Sequence, residues 1–164
     1  MTNEDFMRRA MEIAREGMLS GQHQPFGCVI VKDGEIVGEG CNAVIKNHDP
    51  TAHGEVEAIR DACRRLGTWD LSGCDLYTSC EPCSLCVSTM YFANIRRLFY
   101  AASLADSAAL GADISVLLSE VSRPVEARAM PSEQVLGTEG RALLDEWRES
   151  PGFTEQMETL THKS

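Results

Sequence analysis

Cys80, Cys83 and Cys86 fall within eight residues, "SCEPCSLC" over 79–86, and no other stretch limits the possible folds of this chain as much. A C-x-x-C pair is a redox motif, half of a metal site or part of a disulfide framework. The chain has seven cysteines: Cys28, Cys41, Cys63, Cys74, Cys80, Cys83 and Cys86. An odd count, behind an N-terminal stretch with acidic residues and no unbroken apolar run, argues against a disulfide framework. It also sets a cytoplasmic location as the expectation, because thiols stay reduced there. No apolar run approaches the ~20 residues that span a bilayer, so no membrane partner is expected.

The surroundings of the pair are those of an α/β domain. Residues 4–19 carry Phe6, Ala10, Ile13, Ala14 and Met18 at helical spacing. "CVIVKDGEIVGEG" reads as two strands joined at Asp33-Gly34, a strong hairpin dipeptide. A helix is expected from Pro50-Thr51 to about Leu66, with Gly67 ending it. "CDLYTS" reads as a buried strand, Pro82 as a turn, and residues 83–93 as a helix. "RRLFYAA" is the next strand and "SLADSAALG" a helix, while "DISVLLSEV" fits a last strand or a helix equally. "GRALLDEWRES" reads as a terminal helix, and from Pro151 a mobile tail is expected. Strands alternating with helices after a hairpin predict a three-layer α/β/α sandwich around a mixed, five-stranded sheet. The expected organisation is one domain over 1–150 and a C-terminal tail over 151–164.

The helix before the cysteine pair opens on a second polar cluster, His53-Gly54-Glu55. A thioredoxin-type pair lies early in a βαβ unit, so this order disfavours redox chemistry. Alone, His53 would be a surface or capping histidine, and Glu55 a first-turn carboxylate favoured by the helix dipole. With Pro82-Cys83-x-x-Cys86 they complete the H-x-E…P-C-x-x-C signature of zinc-dependent base deaminases. Positions i and i+3 share a helix face, so both sulfurs can reach one ion. One imidazole and two thiolates leave a tetrahedral zinc one open position, as in catalytic sites. Glu55 is then beside the ion without being needed as a ligand, and is the candidate general acid/base.

At these residues the chain resembles the cytidine/deoxycytidylate deaminase superfamily, and within it bacterial guanine deaminases. "PFGCVIVKDGEIVGEG", "NHDPTAHGEVEAIRDAC", "LYTSCEPCSLC" and "FYAA" carry the likeness, which runs to about residue 130. The resemblance implies zinc at His53, Cys83 and Cys86, with Glu55 as proton shuttle. It implies that Asn42 hydrogen-bonds the substrate and that Phe26 stacks on a planar base, although a turn asparagine and a core phenylalanine are the plainer readings. It also implies a homodimer and a small heterocyclic substrate, guanine first, with cytosine or another amino-heterocycle as alternatives. A tRNA adenosine deaminase shares the zinc core, but 15 basic against 25 acidic residues, a net charge of −10, disfavours nucleic acid as a partner. Gly111-Ala112-Asp113-Ile114 stands where these guanine deaminases read Gly-Phe-Asp-Asp. Asp113 is therefore the candidate acceptor for a substrate N–H, provided the backbone turns it inward.

Overall fold

The structure, a computed structural model, describes residues 1–159. They form two compact units, divided between Ser115 and Val116. The first unit contains helix α1 (Asn3–Leu19), strands β1 (Gly27–Lys32) and β2 (Glu35–Cys41), and a short helix α2 (Val44–Asn47). It continues through α3 (Gly54–Leu66), β3 (Asp75–Cys80), α4 (Ser84–Phe92), β4 (Arg97–Ala102) and α5 (Leu104–Ala109).

The strands form one mixed sheet in the order β2-β1-β3-β4. β1 is antiparallel to both β2 and β3, and β3 is parallel to β4. The hairpin turns at Asp33 and Gly34, both at positive φ (50° and 83°), as the dipeptide predicts. Side chains alternate across the sheet and divide the core in two. Cys28, Ile30 and Leu76 face Ala58, Ile59 and Ala62 of α3 and Met90 of α4. Val29, Val31 and Tyr77 face Phe6 and Ile13 of α1. Tyr77 stacks on Phe99 with ring centroids 4.5 Å apart and donates a hydrogen bond to Asn3 Oδ1 at 2.8 Å, tying α1 to the sheet. At the far end of β3 the buried Asp75 takes paired hydrogen bonds from Arg96 and Arg97. Burial pushes its carboxyl up, but the two guanidinium groups outweigh that and hold it at about 2.

The three layers are as expected; the strand count is not. The sheet of the described residues has four strands, because the candidate fifth, "DISVLLSEV", is helical: α6 spans Ser115–Val121. The side chain of Asp113 accepts the Ser115 N–H at 2.8 Å, a local bond that favours a helix start where periodicity was silent. Helix α3 also begins three residues later than Pro50-Thr51 suggests. Asp49 Oδ1 accepts both the N–H and the hydroxyl of Thr51, and His48 sits at φ 50°, so the segment closes on itself as a turn before the helix.

In the second unit a single 3-10 turn (Val125–Ala127) separates α6 from α7 (Gly137–Arg148). The Glu120 carboxylate bridges Arg123, at 2.8 Å, and the N–H of Ala129, at 2.6 Å. Where a mobile tail was expected, residues Phe153–Met157 form α8. Phe153 meets Trp147 edge-on at 4.9 Å, and the indole N–H donates to Gln156 Oε1 at 2.6 Å, so α8 is fastened to α7.

Candidate metal centre and substrate pocket

Two helix N-termini build the site. His53 is the N-cap of α3 and Cys83 the N-cap of α4, both in extended backbone, while Cys86 lies in the first turn of α4. The start of α3 abuts β1 so closely that a Cβ on Gly54 would collide with the Phe26 carbonyl oxygen. That contact explains glycine between His53 and Glu55 and sets the position of the helix end that carries both.

His53 Nδ1 lies 3.5 Å from Cys83 Sγ and 3.4 Å from Cys86 Sγ, and the two sulfurs are 3.6 Å apart. Tetrahedral zinc, with Zn–S about 2.3 Å and Zn–N about 2.0–2.1 Å, spaces its donors roughly 3.8 Å (S to S) and roughly 3.6 Å (S to N) apart. The triangle fits that ion, and among the described residues these three are the group able to hold a metal. Contacts with the Cys86 sulfur and with His53, against the opposing effect of burial, hold the Cys83 thiol at about 4. The same sulfur–sulfur contact, together with burial, pushes the Cys86 thiol up, and hydrogen bonding to Cys83 raises His53. Cys80 ends β3, and its thiol faces the Ser103 carbonyl oxygen instead of joining the triangle.

Glu55 is 5% exposed, with Oε1 accepting from the Thr78 hydroxyl at 3.1 Å and Oε2 from the Cys86 thiol at 3.3 Å. Burial raises its carboxyl above the usual range, against the opposing pull of those hydrogen bonds. A carboxylate so placed, beside the donors and not among them, is suited to carrying a proton.

Over the triangle opens a pocket of 220 Å³ that includes Gln24, Phe26, Asn42, Glu55, Glu81 and Ile114 in its walls. Phe26 is half-buried on this wall and belongs to neither core cluster of the sheet. Asn42 is buried, and its backbone is held from both sides: its N–H donates to Phe26 O at 2.8 Å and its carbonyl meets His23 Nδ1 at 2.7 Å. Its side-chain oxygen accepts the Val44 N–H at 3.2 Å, so the turn role and the pocket position coexist.

Asp113 is not brought to the pocket. It is exposed and spends its carboxylate on the Ser115 N–H, while its neighbours Ala112 and Ile114 line the wall. The expectation of an inward Asp113 is therefore corrected by alternation along this irregular segment. Sequence reasoning missed Gln24, Glu81, Leu104, Ser107 and Thr78. Leu104 and Ser107, three apart on α5, carried a usable signal of a shared helix face. Glu81 accepts the N–H of Leu104 at 3.0 Å and so latches the start of α5 over the cysteine loop.

Comparison with known proteins agrees with this geometry. The sequence model of the cytidine and deoxycytidylate deaminase zinc-binding region matches residues 1–102. Guanine deaminase of Bacillus subtilis is 47% identical over 148 residues, which is 90% of this chain and 95% of that protein. Its crystal structure superposes with a TM-score of 0.88 at 46% identity, covering 92% of this chain and 96% of the other. A tRNA-specific adenosine deaminase of Aquifex aeolicus is 40% identical over 102 residues, 62% of this chain and 67% of that protein. With the donor triangle, the buried glutamate beside it and the matched zinc-binding region, the chain belongs to the cytidine and deoxycytidylate deaminase family.

Proposed function

We propose that this protein is a zinc-dependent hydrolytic deaminase of a free nucleobase, with guanine, converted to xanthine and ammonia, as its substrate. The observation that carries the reading is the buried Glu55 carboxylate beside the His53–Cys83–Cys86 triangle, at the floor of a small pocket. Ligand cavities of ~300–1,000 Å³ are usual, so 220 Å³ suits a base without its sugar. The likeness to guanine deaminase supports the substrate, since a match over 148 of 164 residues must include the wall from Leu104 to Ile114.

His53, Cys83 and Cys86 would hold the zinc, whose Lewis acidity lets water act as a nucleophile at neutral pH. Phe26 offers a ring face for stacking, and Asn42, with its oxygen bonded to Val44, offers its amide N–H groups to the base. The attacking water forms a bond to the amine-bearing ring carbon and gives a proton to Glu55, which passes it to the neighbouring ring nitrogen. Glu55 then takes the second proton from the new hydroxyl and delivers it to the amine. The carbon–nitrogen bond breaks, ammonia leaves, and a carbonyl replaces the amine. Glu55 returns to its starting state, so atoms and protons balance.

An ammonia-release assay over guanine, adenine, cytosine, isocytosine and their nucleosides tests the substrate. Guanine is expected to turn over fastest, with the nucleosides slower by about tenfold or more because a 220 Å³ pocket suits a base better than a base with its sugar. A preference for cytosine, or for adenosine in tRNA, would overturn the assignment. The net charge of −10 weighs against the tRNA reading.

We also infer a cytoplasmic homodimer. At the end of helix α4, the large aromatic residues Tyr91 and Phe92 are 65% and 55% exposed. Sedimentation at micromolar concentration is expected to give twice the 18.0 kDa chain mass, and a stable monomer would refute the inference.

A further inference from the structure

Glu55 is held by two hydrogen bonds of different kinds. The Thr78 hydroxyl donates to Oε1 at 3.1 Å, and the Cys86 thiol donates to Oε2 at 3.3 Å. Thr78 stands on β3, outside the His53–Cys83–Cys86 triangle, whereas Cys86 is one of its corners. We propose that Thr78 is a positioning residue for the proton transfer: its hydroxyl anchors Oε1, leaving Oε2 as the oxygen that receives and returns the proton. This inference rests on the reading of Glu55 as the proton carrier.

The fold makes Thr78 a firm anchor. It lies inside β3, a central strand, with Cys28 of β1 on one side and Tyr100 of β4 on the other. Hydrogen bonding on both edges fixes the backbone beneath the hydroxyl. Alternation turns Leu76 and Thr78 toward α3 and leaves Tyr77 on the α1 side, so the register alone aims this side chain at the start of α3. Thr78 is 1% exposed, and a hydroxyl has one proton to give. Here Glu55 receives it. A glutamate side chain has three rotatable bonds, and an anchor on one oxygen sets where the other points. Misplacing a reacting group by about 1 Å costs about a hundredfold in rate.

The test compares Thr78→Val, which keeps the shape and strand preference but loses the donor, with Thr78→Ser, which keeps the donor. Both are made in the zinc-loaded full chain. In the valine variant kcat is expected to fall about tenfold to a hundredfold, with KM changed by less than about threefold. Zinc is expected to stay at one per chain, and a crystal structure should show the Glu55 carboxylate rotated from its place. The serine variant is expected to stay within about threefold of wild type. In a Glu55→Gln background, Thr78→Val should lower kcat by no more than about twofold, because the two residues act as one unit. An unchanged kcat, equal losses in valine and serine variants, loss of zinc, or an unmoved Glu55 would each overturn the proposal. If the valine variant does not fold, Thr78→Ala against Thr78→Ser makes the same comparison. Near-native activity in Glu55→Gln alone would defeat the role of Glu55 and this inference with it. Collapse in Glu55→Gln without any effect of Thr78→Val would defeat the inference only.

Discussion

Glu55→Gln is expected to lower kcat by about a hundredfold or more while leaving fold, zinc content and KM near their starting values. The change keeps size and shape, so the Thr78 hydroxyl still finds an acceptor at the amide oxygen. What disappears is the ability to take a proton from water and return it twice in one turnover. A general acid/base contributes typically 10²–10⁴-fold, and here a single carboxylate serves both proton transfers. Steady-state kinetics with zinc analysis on the same preparation decides the matter. Loss of zinc in the glutamine variant would make Glu55 a ligand or a structural support of the site. Near-native turnover would remove it from the reaction.

Cys86→Ala is expected to abolish measurable turnover and to lower stability as well. Cys86 is 1% exposed, packs against Val56 and Cys83, and supplies one corner of the donor triangle. Two ligands hold zinc far more weakly than three, so the variant should purify with well under one zinc per chain. A bound metal stabilises the folded state by mass action, about 4 kcal/mol when its free concentration is a thousand times its dissociation constant. Removing zinc from the wild type with a chelator should therefore lower Tm and bring it close to that of the variant, a comparison made by thermal unfolding with and without added zinc. Equal Tm values for loaded and stripped wild type would contradict the coupling. Zinc uptake should also release protons, because the Cys86 thiol, pushed up in the absence of metal, loses its proton on ligation.

The placement of the donor triangle and of Glu55 beside it was legible in the sequence because it depends on spacing along helices. Cys83 and Cys86 stand one turn apart, and His53 and Glu55 lie on either side of one glycine, so local geometry brings each pair together in any fold that makes those helices. The layers and the hairpin were legible for the same reason, since apolar periodicity and Asp33-Gly34 are local signals. The substrate wall was not. Gln24, Glu81, the α5 pair Leu104 and Ser107, and Ile114 come from four separate segments and meet only through the tertiary fold. Asp113 shows the limit most clearly: its sequence position places it beside the pocket, but whether it faces in or out turns on a hydrogen bond to Ser115 that no pattern of residue types records. The fifth strand failed in the same way, since "DISVLLSEV" satisfies two periodicities and its outcome depends on how its N-terminus is held. Thr78 stands between these cases. Its face of the sheet follows from alternation, but only the packing of α3 on β3 brings the Glu55 carboxylate within reach of its hydroxyl.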